Sequence, residues 1–287
     1  MNKTTLAPHI ISLSALFVLG NGCIIFPKYF ASQFNFTAYL ISLAGLLLLY
    51  VCVSLLWEKV LGEMPKTVLS FGVGIFALFV GAESILSLAD FISKIVLPET
   101  PKFFIFLILG LSAVYFSLKK TESLLKFSLI SLVLSGAVIL FFFIGGADKY
   151  ELRNIFVFKL PEFSEILPQI KPYLLNPVLQ SLVLPVFLWQ SFGETRTRQG
   201  FFGVLWGAVI LGLCILSSVL LFGAQLSGSL EFPFASLVST VTVGRLFTRL
   251  DGFAYFVFFV ASVVKTAVCL KTAFGSLKAI DKSLKGK

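Results

Sequence analysis

Apolar runs separated by short polar stretches recur eight times along the chain, at about 9 to 31, 36 to 57, 67 to 92, 102 to 118, 124 to 146, 177 to 192, 200 to 223 and 250 to 274. Runs near 20 residues match a helix crossing a bilayer, whereas barrel strands are about half as long and alternate in polarity. The pattern predicts one all-α, polytopic membrane domain over residues 1–287 with about eight transmembrane helices. Three stretches fall outside it. Residues 147–176, with Asp148, Arg153, Glu162, Glu165 and Lys171 among Pro161, Pro168 and Pro172, read as an external loop. Residues 230–249 are too polar and too short to span and read as a surface or re-entrant helix. Residues 275–287 read as a basic cytoplasmic tail.

Two of the runs are not uniformly apolar. Glu83, Ser87, Asp90 and Lys94 stand at i, i+4, i+7 and i+11 and share one helical face of the third run. In the eighth, Asp251, Tyr255, Ser262, Lys265, Thr266 and Cys269 make a second stripe. A cation at the centre of a bilayer costs from roughly 3 to more than 10 kcal/mol, so Lys265 needs a partner or a cavity. Two readings stay open: a structural Glu83–Lys265 ion pair that locks two helices, or a functional site for substrate, proton or water. Asp90 and Lys94 lie nearer water and suit a solvated rim, and His9 suits an interfacial position.

Two runs also carry helix breakers. In the first, Gly20, Asn21 and Gly22 are poor helix formers and Pro27 follows, so an interrupted helix is expected. The sixth has Pro177 and an internal Pro185 beside Gln180 and Ser181, a second candidate for a broken helix. In transporters such breaks free backbone groups near the midplane for carboxylates and cations, and runs one and six are corresponding positions of a five-plus-five inverted repeat. Gly200, Gly203 and Gly207 in the seventh run suit close helix packing.

Composition sharpens the class. The chain is 57% hydrophobic and 13% charged, with 33 Phe in 287 residues, where soluble domains carry about 25% charged residues. No cleavable signal peptide is evident, because the first run contains Gly20, Asn21 and Gly22 and no clear cleavage site. Cys23, Cys52, Cys214 and Cys269 lie in apolar segments without metal-ligand or pairing spacing and read as core thiols. The net charge of +9 is scattered among loops with no nucleic-acid motif, and its bias places both termini in the cytoplasm. No nucleophile, base and oxyanion arrangement appears, no metal cluster and no cofactor signature, which argues against an enzyme.

"LPETP" (97–101), "FPFASLVSTVTVGRLFTRLDGF" (232–253) and the Lys265 that follows resemble the spore germination permease family, the B subunits of nutrient germinant receptors within the amino acid, polyamine and organocation transporter superfamily. The resemblance implies a LeuT-like helical bundle that lacks the last two of the usual ten helices. It also implies a small nutrient ligand such as an amino acid, and assembly with an A-type membrane subunit and a C-type lipoprotein in the inner spore membrane. By that analogy Gly20, Asn21, Gly22 and Cys23 approach the ligand together with Glu83, Ser87, Gln180 and Ser181. Lys265, Ser262 and Thr266, with Glu83, form a cation-type or proton-linked site. An independent proton-coupled amino acid transporter and a structural membrane subunit with a degenerate pocket are the alternatives.

Overall fold

The structure, a computed structural model, describes residues 3–31, 36–60, 63–154, 176–241 and 250–285. Each apolar run is helical over most of its described residues, and two of them are interrupted. The helices are α1 (Lys3–Leu19), α2 (Gly22–Ala31), α3 (Phe36–Leu55), α4 (Glu63–Phe91), α5 (Lys102–Leu118), α6 (Thr121–Gly145), α7 (Pro177–Gln180), α8 (Val183–Phe192), α9 (Thr197–Ser229), α10 (Pro233–Thr240) and α11 (Asp251–Lys285). Among the described residues four helices are long and apolar enough to cross a membrane, or five if the bent pair α1–α2 is one span; residues 43–58, 102–118 and 177–192 are shorter apolar helices. The chain is an all-helical integral membrane bundle.

Local chemistry sets the helix ends. Asn176 caps α7 by accepting a hydrogen bond from the Val178 N–H at 2.9 Å, with Pro177 at the first helical position where a missing N–H costs nothing. Gly193, at φ 76°, closes α8 in the left-handed conformation that glycine adopts without strain. α9 kinks at Gly223, where φ is 75° and ψ is 164°.

α11 packs along α4 and also touches α1, α5 and α6, while α1 lies against α9. Two of these contacts are backbone-close. A Cβ on Gly203 would meet the Ile11 carbonyl oxygen at 2.4 Å, and one on Gly207 the Ala15 carbonyl oxygen at 2.6 Å, so the four-residue glycine spacing brings α9 onto the α1 backbone. Gly200 instead admits the Tyr50 hydroxyl of α3, which a Cβ would meet at 2.1 Å.

Several expected boundaries move. The basic tail continues α11 as helix to Lys285. Within 230–249 only Pro233–Thr240 forms a described helix, its Phe234, Leu237 and Val238 buried against α2, α9 and α11; residues 242–249 lie outside the described residues. Of the loop 147–176, residues 147–149 and 152–154 form single 3₁₀ turns, and 155–175 lie outside the described residues.

Candidate functional site at two helix breaks

α1 stops where its sequence stops favouring helix. The Gly20 N–H bonds to the Leu16 carbonyl at 3.0 Å, and the Asn21 carbonyl then starts α2 by accepting from Ile24 and Ile25, each at 3.1 Å. The two halves meet at 43°. The second break arises differently. Pro185 has no N–H for the Ser181 carbonyl, so Leu184 N–H takes that oxygen at 2.9 Å and the chain tightens into a 3₁₀ step at Ser181–Leu182. The interruption falls ahead of Pro185, between α7 and α8, because proline fits the first turn of α8.

Between the breaks lies Lys265 of α11, fully buried. Its Nζ donates to Asn21 Oδ1 at 2.5 Å and to Gln180 Oε1, and stands 5.4 Å from the centroid of the Phe17 ring. Each amide turns its nitrogen to the other charge: Asn21 Nδ2 donates to Glu83 Oε2 at 2.5 Å and Gln180 Nε2 donates to the same oxygen at 3.3 Å. Ser87 Oγ donates to Glu83 Oε1 at 3.1 Å. Lys265 and Glu83 are therefore joined through two parallel amides, one from each broken helix, rather than by direct contact.

Burying one cation costs several kcal/mol even after relaxation. Two hydrogen bonds to a charged donor return about 1.5–3 kcal/mol each, and the ring face adds roughly 1–2. These offset most of the cost without direct contact with the carboxylate. An ammonium has three donors. The third N–H of Lys265 has no oxygen partner among the described residues, and it can serve an acceptor brought by a ligand.

Gly20 makes the approach possible, since a Cβ there would stand 2.6 Å from Lys265 Cδ. The remaining expected site residues are placed elsewhere. Gly22 packs against Pro177, 2.9 Å from a built Cβ. Cys23 lies beside Cys214 with sulfurs 3.7 Å apart, a proximity that sequence spacing did not show. Ser181 Oγ donates to the Val178 carbonyl of its own helix at 2.5 Å. Thr266 Oγ1 donates to the Ser262 carbonyl at 2.9 Å and approaches the Gly81 carbonyl at 3.5 Å, so it serves the α4–α11 contact. Ser262 is buried with its hydroxyl unpartnered among the described residues.

One further polar group escaped sequence reasoning. Gln190 of α8 reaches Ser70 Oγ of α4 at 3.1 Å and Ser276 Oγ of α11 at 2.9 Å, and its amide, oriented to satisfy all partners, also donates to the Thr272 carbonyl at 3.2 Å. Thr272 and Ser276 continue the Lys265 stripe at i+7 and i+11, which was the signal available. At the other end, Asp90 pairs with Lys94 at 3.1 Å and Lys102 at 2.6 Å, and Lys94 also pairs with Glu231. The expected rim is thus a network joining α4, α5 and the segment before α10.

The comparisons with known proteins agree with this architecture. A model of the spore permease family, described as spore germination protein, matches residues 7–283. A curated relative, YfkT of Bacillus subtilis (strain 168), is named for spore germination and is 22% identical over 179 residues. The match covers 62% of this chain and 48% of the relative, so the chain spans about half the length of the curated relative it matches. The family comprises permease-type or receptor-type membrane proteins and is not known as a family of enzymes. With nearly the whole chain matched and a helical membrane bundle around a buried Lys265, this chain belongs to the spore germination permease family, whose members are germination-related membrane proteins.

Proposed function

We propose that the protein is the membrane-embedded sensing subunit of a nutrient germinant receptor. It binds a small nutrient such as an amino acid at the two helix breaks and signals to an A-type membrane subunit and a C-type lipoprotein. A LeuT-like bundle in the inner spore membrane, with both termini cytoplasmic, is the setting this reading requires. The observation that carries it is the bridge from Lys265 through Asn21 and Gln180 to Glu83, which ties both broken helices to α4 and α11.

A ligand ammonium offers the amide oxygens of Asn21 and Gln180 what Lys265 offers them, and a ligand carboxylate offers the Lys265 ammonium a stronger acceptor than an amide. Exchange of partners costs little overall, yet it uncouples α2 and α7 from α11. Signal therefore comes from released geometry rather than from chemistry on the ligand.

A ligand-dependent thermal-shift panel on purified protein identifies the nutrient, and germination assays of spores test the bridge. Lys265→Met is expected to fold and to lose the response, and Lys265→Arg to restore it poorly, because the guanidinium fork is wider than the ammonium. An unchanged response in Lys265→Met overturns the proposal. The half-exposed Glu83 also supports a second reading, a proton-coupled transporter, which uptake by the protein alone in liposomes would select.

A further inference from the structure

The bridge itself offers little open surface: Asn21 is 3% exposed and Gln180 0%. The open cavity lies next to it, about 290 Å³ at the end of the bundle where α4 terminates, with Ser87 in its wall. Its polar lining is Lys28, Asp90, Lys102 and Glu231, and its apolar lining is Ile25, Leu86 and Phe232. The lining holds two cations and two anions, but with Lys94 beside it the anions are already paired. Asp90 and Glu231 are matched by Lys94 and Lys102 in the ion-pair network, two of each sign. Lys28, in the last turn of α2, has no hydrogen-bond or ion-pair partner among the described residues and is a surplus cation facing the cavity.

We infer that this cavity is a separate binding site for a small carboxylate with a branched apolar body. The carboxylate pairs with Lys28, the body lies on Ile25, Leu86 and Phe232, and Ser87 lies between this site and Glu83 of the bridge. A half-exposed ammonium with no partner among the described residues, set in a small cavity, selects an anion; a cationic ligand would have to displace Lys94 or Lys102 from a carboxylate already held. The volume sits at the lower end of small-molecule sites, which suits a ligand of amino-acid size. An amino group on the ligand is tolerated but not required.

The test uses the full-length protein in lipid nanodiscs and three probes of one shape: 4-methylpentanoate, L-leucine and 3-methylbutylamine. Binding is read by calorimetry, and Lys28 acetylation by mass spectrometry. The acid and the amino acid are expected to bind and to slow acetylation of Lys28 but not of Lys120. The amine is expected to bind at least about tenfold more weakly, the worth of one charge-assisted contact. Lys28→Gln is expected to lose about tenfold in affinity for the acid and Lys28→Arg to keep most of it. Equal binding of amine and acid, no binding of the acid at millimolar concentration, or acetylation of Lys28 unchanged at saturating acid each overturns the inference. The labelling arm uses unaltered protein, so a folding defect in a variant leaves the test decisive. Affinity at this cavity and germination response at the bridge are separate readouts, and either can fail alone.

Discussion

Two polar knots hold the same helices together and are built on opposite terms. Around Lys265 the knot is charged, one carboxylate is half exposed, and two partners stand on broken helices. Around Gln190 it is neutral; Ser70, Thr272 and Ser276 are all fully buried, and α4 and α11 pass through it unbroken. The knots lie about 20 Å apart along α4, from 13 residues at the helical rise between Ser70 and Glu83. Each has its own glycine gap: Gly20 admits the Lys265 stem, and Gly275 admits the Gln190 amide, which a Cβ there would strike. A neutral knot has one good arrangement and acts as a fastener. A charged knot next to helix breaks has partners that can be exchanged.

The largest effect should come from removing one charge. Glu83→Leu removes the countercharge behind Lys265 and strands the Asn21 and Gln180 amide nitrogens, and should cost about 3 kcal/mol. Adding Lys265→Met should recover most of that stability in denaturant titrations while germination stays absent; recovery of both would make the charged knot a fastener too. Gly20→Ala should follow at about 2 kcal/mol, since the new methyl collides with the middle of the Lys265 side chain, and it should lower ligand response as well. Gln190→Leu should cost about 1 kcal/mol by removing the amide's hydrogen bonds to Ser70 and Ser276, whose hydroxyls keep each other as partners, with the response of the surviving folded protein unchanged. A lost response there would collapse the contrast between the knots. Smallest is Asp90→Asn, under about 1 kcal/mol because its partners are solvent-exposed, seen as a slightly lower thermal midpoint that high salt abolishes in the parent.

The helices were legible because run length and apolarity decide them locally. The break at Gly20–Asn21 was legible for the same reason: three poor helix formers act where they stand. Pro185 signalled the second break, but the strain falls on the carbonyl four residues earlier, so the turn lies at Ser181–Leu182. The polar stripes marked Glu83, Ser87 and Lys265 correctly as one-faced sets, yet nothing in a stripe says which neighbour meets it. The amides of Asn21 and Gln180 come from 244 and 85 residues away from Lys265, and the Cys23–Cys214 contact spans 191. Phe17 was invisible because an aromatic under an ammonium looks like any other apolar residue in the sequence.

The burial of Lys265 also bears on how the protein is made. A lysine at the centre of a helix raises the cost of entering the bilayer from the translocon by about 2.5–3.5 kcal/mol. Its acceptors Asn21 and Gln180, and Glu83 behind them, all precede it in the chain and emerge from the ribosome first. When α11 arrives, the oxygens that receive its ammonium are already in the membrane. Entry of α11 is thus conditional on correct placement of the earlier helices, and a fault as far upstream as Asn21 would surface as an α11 left outside the lipid.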